Sequence, residues 1–140
     1  MLAQNSGHII NVSSGLSSQP YTGFSAYGAS KAGVDQLTRI LALELTGSGV
    51  TANSVYPGMI RTDMQAEIRK VNADERHLDL SMFRQAEAAG QLIAAETAAQ
   101  RILWLAGPWS GSRSGEIFTF RDTTWLAQVT QDLAALAQQE

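Results

Sequence analysis

The sequence predicts an α/β fold, a parallel sheet with helices on its faces, and three observations lead to it. A strand-like run, a long helix-spaced segment and a second strand-like run follow one another within residues 8–56, the order of a right-handed parallel crossover. Charge avoids the same region: residues 1–60 hold only Lys31, Asp35, Arg39 and Glu44, and the remaining 80 residues hold the other 19 charges. A segment so poor in charge is expected to face protein on more than one side. Finally, 140 residues that are 44% hydrophobic and 16% charged suffice for the core of about one domain.

The elements follow in order. His8-Ile9-Ile10-Asn11-Val12-Ser13-Ser14 is a β-branched run between Gly7 and Gly15, and reads as a buried strand over about 8–14 that feeds a serine-rich loop. From Ser25 to Thr46 there is no proline. Val34, Leu37, Leu41 and Leu45 recur there at helical spacing while Ile40 and Leu43 mark another face, which predicts a long helix buried on two sides. Gly47-Ser48-Gly49 stops it, and Val50–Tyr56 forms a second strand broken by Pro57-Gly58. Residues 62–90 are polar, with weak periodicity through Met64, Ile68, Leu78, Leu80, Met82 and Phe83, and read as short helices in an excursion. Ala99, Ile102, Leu103 and Ala106 define a helix over about 95–106 that Gly107-Pro108 ends. Turn residues 110–115 precede a third strand, Glu116–Phe120. Asp122 then caps a closing amphipathic helix marked by Leu126, Val129, Leu133 and Leu136.

Composition removes several function classes. Lys+Arg 10 against Asp+Glu 13, a net charge of -3, supplies no basic stripe for nucleic acid. Without cysteine there is no disulfide framework or thiolate zinc site, and His8 and His77 lie too far apart in sequence to suggest a metal site. No apolar run approaches the roughly 18 residues of a membrane span, and Met1–Gly7 lacks an export signal. The expectation is a cytoplasmic protein with no membrane partner, in which Asn11-Val12-Ser13 is strand sequence and not a glycosylation site. Trp104, Trp109 and Trp125 are too scattered for a stacking platform and read as packing or interface residues. His77 reads as a solvated loop residue and Asp74-Glu75 as a solvated face.

Chemistry concentrates near the start of the long helix. Tyr27 and Lys31 are four apart, so their side chains share one face and can reach a common ligand. A free tyrosine titrates near ~10 and shuttles protons poorly at neutral pH, but a neighbouring ammonium favours the phenolate. Lys31 is the only lysine in the first 69 residues, in a segment where an unpartnered ammonium would be costly. Ser14 ends the preceding strand, where parallel sheets bind ligands. Its hydroxyl can hydrogen-bond a carbonyl as the tyrosine exchanges a proton with it.

Three motifs in the right order carry a resemblance: Ile9-Ile10-Asn11-Val12-Ser13-Ser14, then Tyr27-Gly28-Ala29-Ser30-Lys31-Ala32-Gly33, then Asn53-Ser54-Val55-Tyr56-Pro57-Gly58-Met59-Ile60-Arg61-Thr62-Asp63-Met64. Together they resemble the classical short-chain dehydrogenase/reductase family, closely to Met64 and more loosely to about Phe120. The resemblance implies the carboxyl-terminal part of a doubly wound, Rossmann-like parallel sheet, with residues 1–140 forming a single partial domain. It implies that Ser14 polarises the substrate carbonyl, that Tyr27 is the acid/base, and that Lys31 lowers the tyrosine pKa and binds the nicotinamide ribose. Pro57 and Gly58 would turn the chain so that backbone near Ile60, with the Thr62 hydroxyl, holds the carboxamide.

The family's glycine-rich dinucleotide turn has no counterpart here, and neither do its proton-relay asparagine and the residue that separates NAD from NADP. Gly47-Ser48-Gly49 follows a helix and enters a strand, the reverse of the order that fingerprint requires. The implied function is an NAD- or NADP-dependent oxidoreductase that interconverts an alcohol and a ketone or aldehyde on a small-molecule substrate, as a homo-oligomer (dimer or tetramer). Two other readings stay open: a truncated, non-catalytic chain that acts only through association, and a sugar epimerase of the extended branch.

Overall fold

Val50–Tyr56 forms the middle strand, β2, whose residues are all buried except the last. The computed structural model describes residues 1–71 and 78–136. Strand β1 (Gly7–Val12) pairs parallel to one side of β2, from Gly7 opposite Val50 to Val12 opposite Val55. Strand β3 (Ile117–Thr119) pairs parallel to the other side, with Val55 opposite Phe118. The order β1-β2-β3 makes β1 and β3 the edges among the described residues. The second strand has its predicted bounds, while the predicted first and third strands run a residue or two past the regular ladder, where single hydrogen bonds continue: Ser13 N–H donates to Val55 O at 2.9 Å and Phe120 N–H to Tyr56 O at 3.1 Å.

Helix α1 (Ser25–Glu44) joins β1 to β2 as the crossover. Its proline-free sequence lets the backbone ladder run unbroken to the turn at Gly47 and Gly49. Gly49 sits at φ +73°, and a β-carbon there would lie 2.0 Å from Asn5 O, so only glycine lets this turn pass over the short helical turn at Leu2–Gln4. Beyond β2, α2 (Asp63–Lys70) and α3 (Ser81–Ala88) are the short helices expected of the excursion. His77, Asp74 and Glu75 lie outside the described residues. Helix α4 (Ala95–Ala106) precedes β3, and α5 (Thr123–Leu136) closes the chain. Asp122 caps α5 as its sequence position predicts, with one carboxylate oxygen accepting from Thr124 N–H at 3.0 Å and Trp125 N–H at 3.1 Å.

The apolar core lies where β2 and β3 meet α4 and α5. Val55, Ala98, Trp104, Leu105, Phe118, Phe120, Trp125 and Val129 form one buried cluster. Trp125 is its hub, with ring centroids 5.2 Å from Phe118, 5.6 Å from Phe120 and 6.2 Å from Trp104. The Trp104 indole N–H escapes an unpaired burial by donating to Asp132 at 2.7 Å. Trp104 and Trp125 are therefore packing residues, as their scatter suggested.

The seam between α1 and the sheet is different. The residues of α1 that are buried are polar, Asp35 and Thr38. Leu37, Ile40 and Leu43 are exposed, Leu43 at 76%. This corrects the expectation of a helix buried on two sides: among the described residues the sheet covers one face and nothing covers the other. The low charge of residues 1–60 likewise does not mean uniform burial, because β1 is an edge strand of half-buried residues ending in exposed Val12. Among the described residues no helix is long and apolar enough to cross a membrane.

Because Trp125 joins β3, α4 and α5, Trp125→Ala should cost about 3–5 kcal/mol of stability. Urea unfolding of the two proteins measures this, and a loss under roughly 1 kcal/mol would show that the cluster is not the organising core.

Candidate active site

Ser14 stands two residues beyond β1 with an extended backbone and caps the short helical turn Gly15–Ser17, its hydroxyl oxygen accepting from Leu16 N–H at 3.2 Å. That bond uses a lone pair and leaves the hydroxyl proton free to donate. Ser13 points the other way, as alternation along an extended chain requires. It is buried and donates to the Lys31 carbonyl at 3.2 Å.

Tyr27 lies in the first turn of α1 and is 44% exposed. Phe24 meets its ring edge-on, with centroids 6.4 Å apart, and packs in turn on Phe83 of α3 at 5.6 Å. Lys31 follows one turn later on the same face. Its Nζ sits 5.7 Å from the Tyr27 ring centroid and donates to the Val12 carbonyl at 2.9 Å. That carbonyl, at the end of β1, is the partner the ammonium needed, and two of its three donors stay available. Gly28 lets the Ser14 turn press against α1 beside Tyr27, since a β-carbon there would meet Leu16 O at 2.9 Å. An apolar cleft of about 300 Å³, lined by Leu16, Pro20, Tyr21 and Phe24 among others, opens at this junction. The structure thus places Ser14, Tyr27 and Lys31 around the carboxyl end of β1.

The Pro57-Gly58 segment leaves the carboxyl end of the neighbouring strand, with Gly58 at φ +68°. Ile93 N–H then donates to Met59 O at 2.9 Å and Arg61 N–H to Ile93 O at 2.8 Å, a parallel bridge that brackets Ile60. In such a bridge the peptide groups of the bracketed residue point away from the partner. The Ile60 N–H accordingly has no hydrogen-bond partner among the described residues, and its carbonyl receives only the Thr62 hydroxyl at 3.5 Å. A donor and an acceptor side by side on open backbone match what a primary carboxamide presents. These residues fit the nicotinamide side of a dinucleotide.

A family model described as short chain dehydrogenase matches residues 1–73, just over half the chain. The chain belongs to the short chain dehydrogenase family. The 3-oxoacyl-[acyl-carrier-protein] reductase of Vibrio harveyi is 36% identical over 116 residues, which cover 83% of this chain and 45% of that protein. The benzil reductase of Bacillus subtilis is 33% identical over 81% of this chain and 46% of its own length. Among solved structures, an actinorhodin polyketide ketoreductase variant with NADPH superposes at a TM-score of 0.73, with 28% identity over 86% of this chain and 48% of its own. A Beutenbergia cavernae structure with NADP at low occupancy, assigned as an NAD(P) dependent gluconate 5-dehydrogenase, gives 0.70 and 35% identity over 91% of this chain and 49% of its own. The chain spans about half the length of these relatives.

Sequence reasoning about this short chain dehydrogenase missed a buried polar cluster behind the site. Asp35 is 4% exposed. One of its oxygens accepts the Tyr56 hydroxyl, which also pairs with the Ser17 hydroxyl at 2.6 Å. Beside it, Thr38 of α1 receives Asn11 Nδ2 at 2.9 Å and pairs with the Ser54 hydroxyl at 2.9 Å. Burial opposes ionisation of Asp35, but the neighbouring hydroxyls of Ser17, Tyr56, Ser13 and Ser54 favour the charged form and hold its pKa below the usual value. Burial, and then the hydrogen bond to Asp35 and its charge, raise the Tyr56 phenol above its usual value, against smaller opposing effects of Ser17 and Arg39. One signal was available: Asp35 is the only acidic residue before Glu44 and falls eight residues after Tyr27, on the stripe that also holds Lys31.

The linkage has a definite sign. Because the folded carboxyl titrates below its ordinary 3.8, ionised Asp35 contributes stability that is complete above about pH 4 and fades as pH falls through the folded value. The stability difference between the wild type and Asp35→Asn should narrow on acidification, and phenolate absorbance should show one tyrosine titrating earlier in the variant. Identical titrations in the two proteins would separate Tyr56 from Asp35.

Proposed function

We propose that this chain is the catalytic and nicotinamide-side portion of an NAD(P)-dependent oxidoreductase that interconverts an alcohol and a ketone or aldehyde. The observation that carries the reading is the contact of Lys31 with the Val12 carbonyl. It brings the ammonium and the Tyr27 ring to the strand end that Ser14 occupies. The relatives' names as reductases and dehydrogenases, and NADP or NADPH in two solved neighbours, support it.

Bound along the Ile60 segment, a nicotinamide would supply hydride transfer to or from the carbonyl carbon. The chain's own groups act on the oxygen. Ser14 donates its free hydroxyl proton as a hydrogen bond to the carbonyl oxygen, orienting it and stabilising the charge that develops there. Tyr27 carries a proton on Oη, gives it to that oxygen in the reducing direction and takes it back in the oxidising one. Lys31 holds its charge beside the phenol and offers its two remaining donors to ribose hydroxyls. The Ile60 peptide, with Thr62, holds the carboxamide and so sets which face of the ring is presented.

The decisive experiment joins a relative's glycine-rich half ahead of Met1, so that a complete dinucleotide site is present, and assays ketones and aldehydes including a 3-oxoacyl thioester. Tyr27→Phe should lower kcat by roughly 10²- to 10⁴-fold with little change in cofactor affinity, while Lys31→Ala weakens cofactor binding and Lys31→Arg restores it only in part. Near-normal kcat in Tyr27→Phe would sink the assignment.

A second reading, assembly through α1 into a homo-oligomer, rests on the exposed stripe of Leu37, Ile40 and Leu43 and on the open edge of β1. A stable contact buries about 1,200–2,000 Å² in total, and an edge strand adds a pairing template. Ile40→Lys with Leu43→Glu should shift light-scattering mass to smaller species or give insoluble protein. A well-folded wild-type monomer at high concentration would refute this reading.

A further inference from the structure

We propose that Asp35 is a positioning residue: through the Tyr56 and Ser17 hydroxyls it ties the turn bearing Ser14 and the turn at Pro57-Gly58 to the helix that carries Tyr27 and Lys31. This rests on the catalytic reading above. Tyr27, Lys31 and Asp35 fall at i, i+4 and i+8 of α1, one stripe facing the carboxyl ends of the strands. The first two meet the ligand side, and the third lies buried behind them.

Two short chains of contacts lead out from the carboxylate. Toward the serine, Asp35 accepts the Tyr56 hydroxyl, which pairs with the Ser17 hydroxyl at 2.6 Å. Ser17 closes the turn that Ser14 caps, its N–H donating to Ser14 O at 3.0 Å. Toward the nicotinamide side, Tyr56 is the last residue of β2 and is followed directly by Pro57, whose ring fixes its own φ. The anchored phenol therefore sets where the Gly58–Thr62 segment departs. One carboxylate thus fixes the substrate-side turn and the cofactor-side turn to the same helix.

A carboxylate out of water is expensive unless well paired, and an apolar side chain of similar size would fill the space more cheaply. The second oxygen of Asp35 has no hydrogen-bond partner among the described residues, so these residues hold a charge there without fully satisfying it. Hydrogen bonds to charged groups are directional and strong. They fix the position of a turn where apolar packing would let it slide, and displacement of a catalytic group by about 1 Å can cost 10²-fold in rate.

The test is a double-mutant cycle in the complete domain described above. Tyr56→Phe removes the relay hydroxyl and keeps the ring. It should lower kcat by about 10- to 100-fold, and by clearly less when Ser14 is already alanine, because no serine hydroxyl remains to be misplaced and only the cofactor-side turn is still released. Asp35→Asn, which keeps an acceptor for Tyr56, should lose less than Asp35→Ala. Amide exchange at Leu16 and Ser17 in the chain itself gives a readout independent of turnover and should speed up in Tyr56→Phe. No kcat loss, an equal loss in both Ser14 backgrounds, or unchanged exchange at the turn would overturn the proposal. Should Asp35→Ala fail to fold, the Tyr56→Phe cycle still decides. The catalytic reading fails separately, if Tyr27→Phe retains turnover.

Discussion

The attachment of α1 to the sheet by hydrogen bonds is the interaction on which the site depends. Lys31 reaches the end of β1, Ser13 reaches back to the Lys31 carbonyl, Asp35 holds Tyr56 at the end of β2, and Thr38 joins Asn11 and Ser54 on the two strands. These contacts span two turns of helix and both strand ends. Each has a preferred distance and direction, so together they define the rotation of the helix as well as its distance from the sheet. Apolar burial is non-directional, so without these bonds Tyr27 would be held less tightly relative to Ser14.

Stability and positioning are consequently supplied by opposite faces of the sheet. On one side the aromatic cluster around Trp125 buries apolar area between β2, β3, α4 and α5, the contribution that offsets conformational entropy. On the other side the polar seam adds little apolar burial, and the outward face of α1, with Leu37, Ile40 and Leu43, is covered by none of the described residues. This division explains why Ser54 is a buried polar residue in the central strand, while Asn53, on the opposite face by strand alternation, is buried for a different reason. Ser54 pairs with Thr38 of α1, whereas Asn53 donates to Arg113 O at 2.8 Å and accepts from Glu116 N–H at 3.0 Å, pinning the chain that enters β3.

Much of this was legible in the sequence, and the exceptions have physical causes. The elements were readable because β-branched runs, helical spacing and turn residues agree locally, down to Asp122 as the cap of α5. The candidates Ser14, Tyr27 and Lys31 were readable as a group at the end of β1, because a strand end and a one-turn spacing on the following helix mark them locally. Asp35 and Tyr56 were not. Their pairing joins a helix to a strand end 21 residues away, and no local pattern marks a carboxylate whose partner is set by tertiary packing. The exposure of Leu37, Ile40 and Leu43 was misjudged for a related reason: a stripe of apolar residues states that a face is suited to burial and is silent about what buries it. The backbone near Ile60 was marked only by the resemblance; that its N–H has no partner among the described residues is a property of the bridge to Ile93 and not of any side chain.

The central claim is that the carboxyl ends of β1 and β2, held by this polar seam, present one preorganised site for a carbonyl and a nicotinamide. Its most direct test is a crystal structure of the complete domain with NADP and a ketone substrate. The account predicts the ketone oxygen within hydrogen-bond distance of both Tyr27 Oη and Ser14 Oγ, and the carboxamide on the Ile60 peptide. A nicotinamide bound away from Ile60, or a carbonyl that contacts neither hydroxyl, would contradict it.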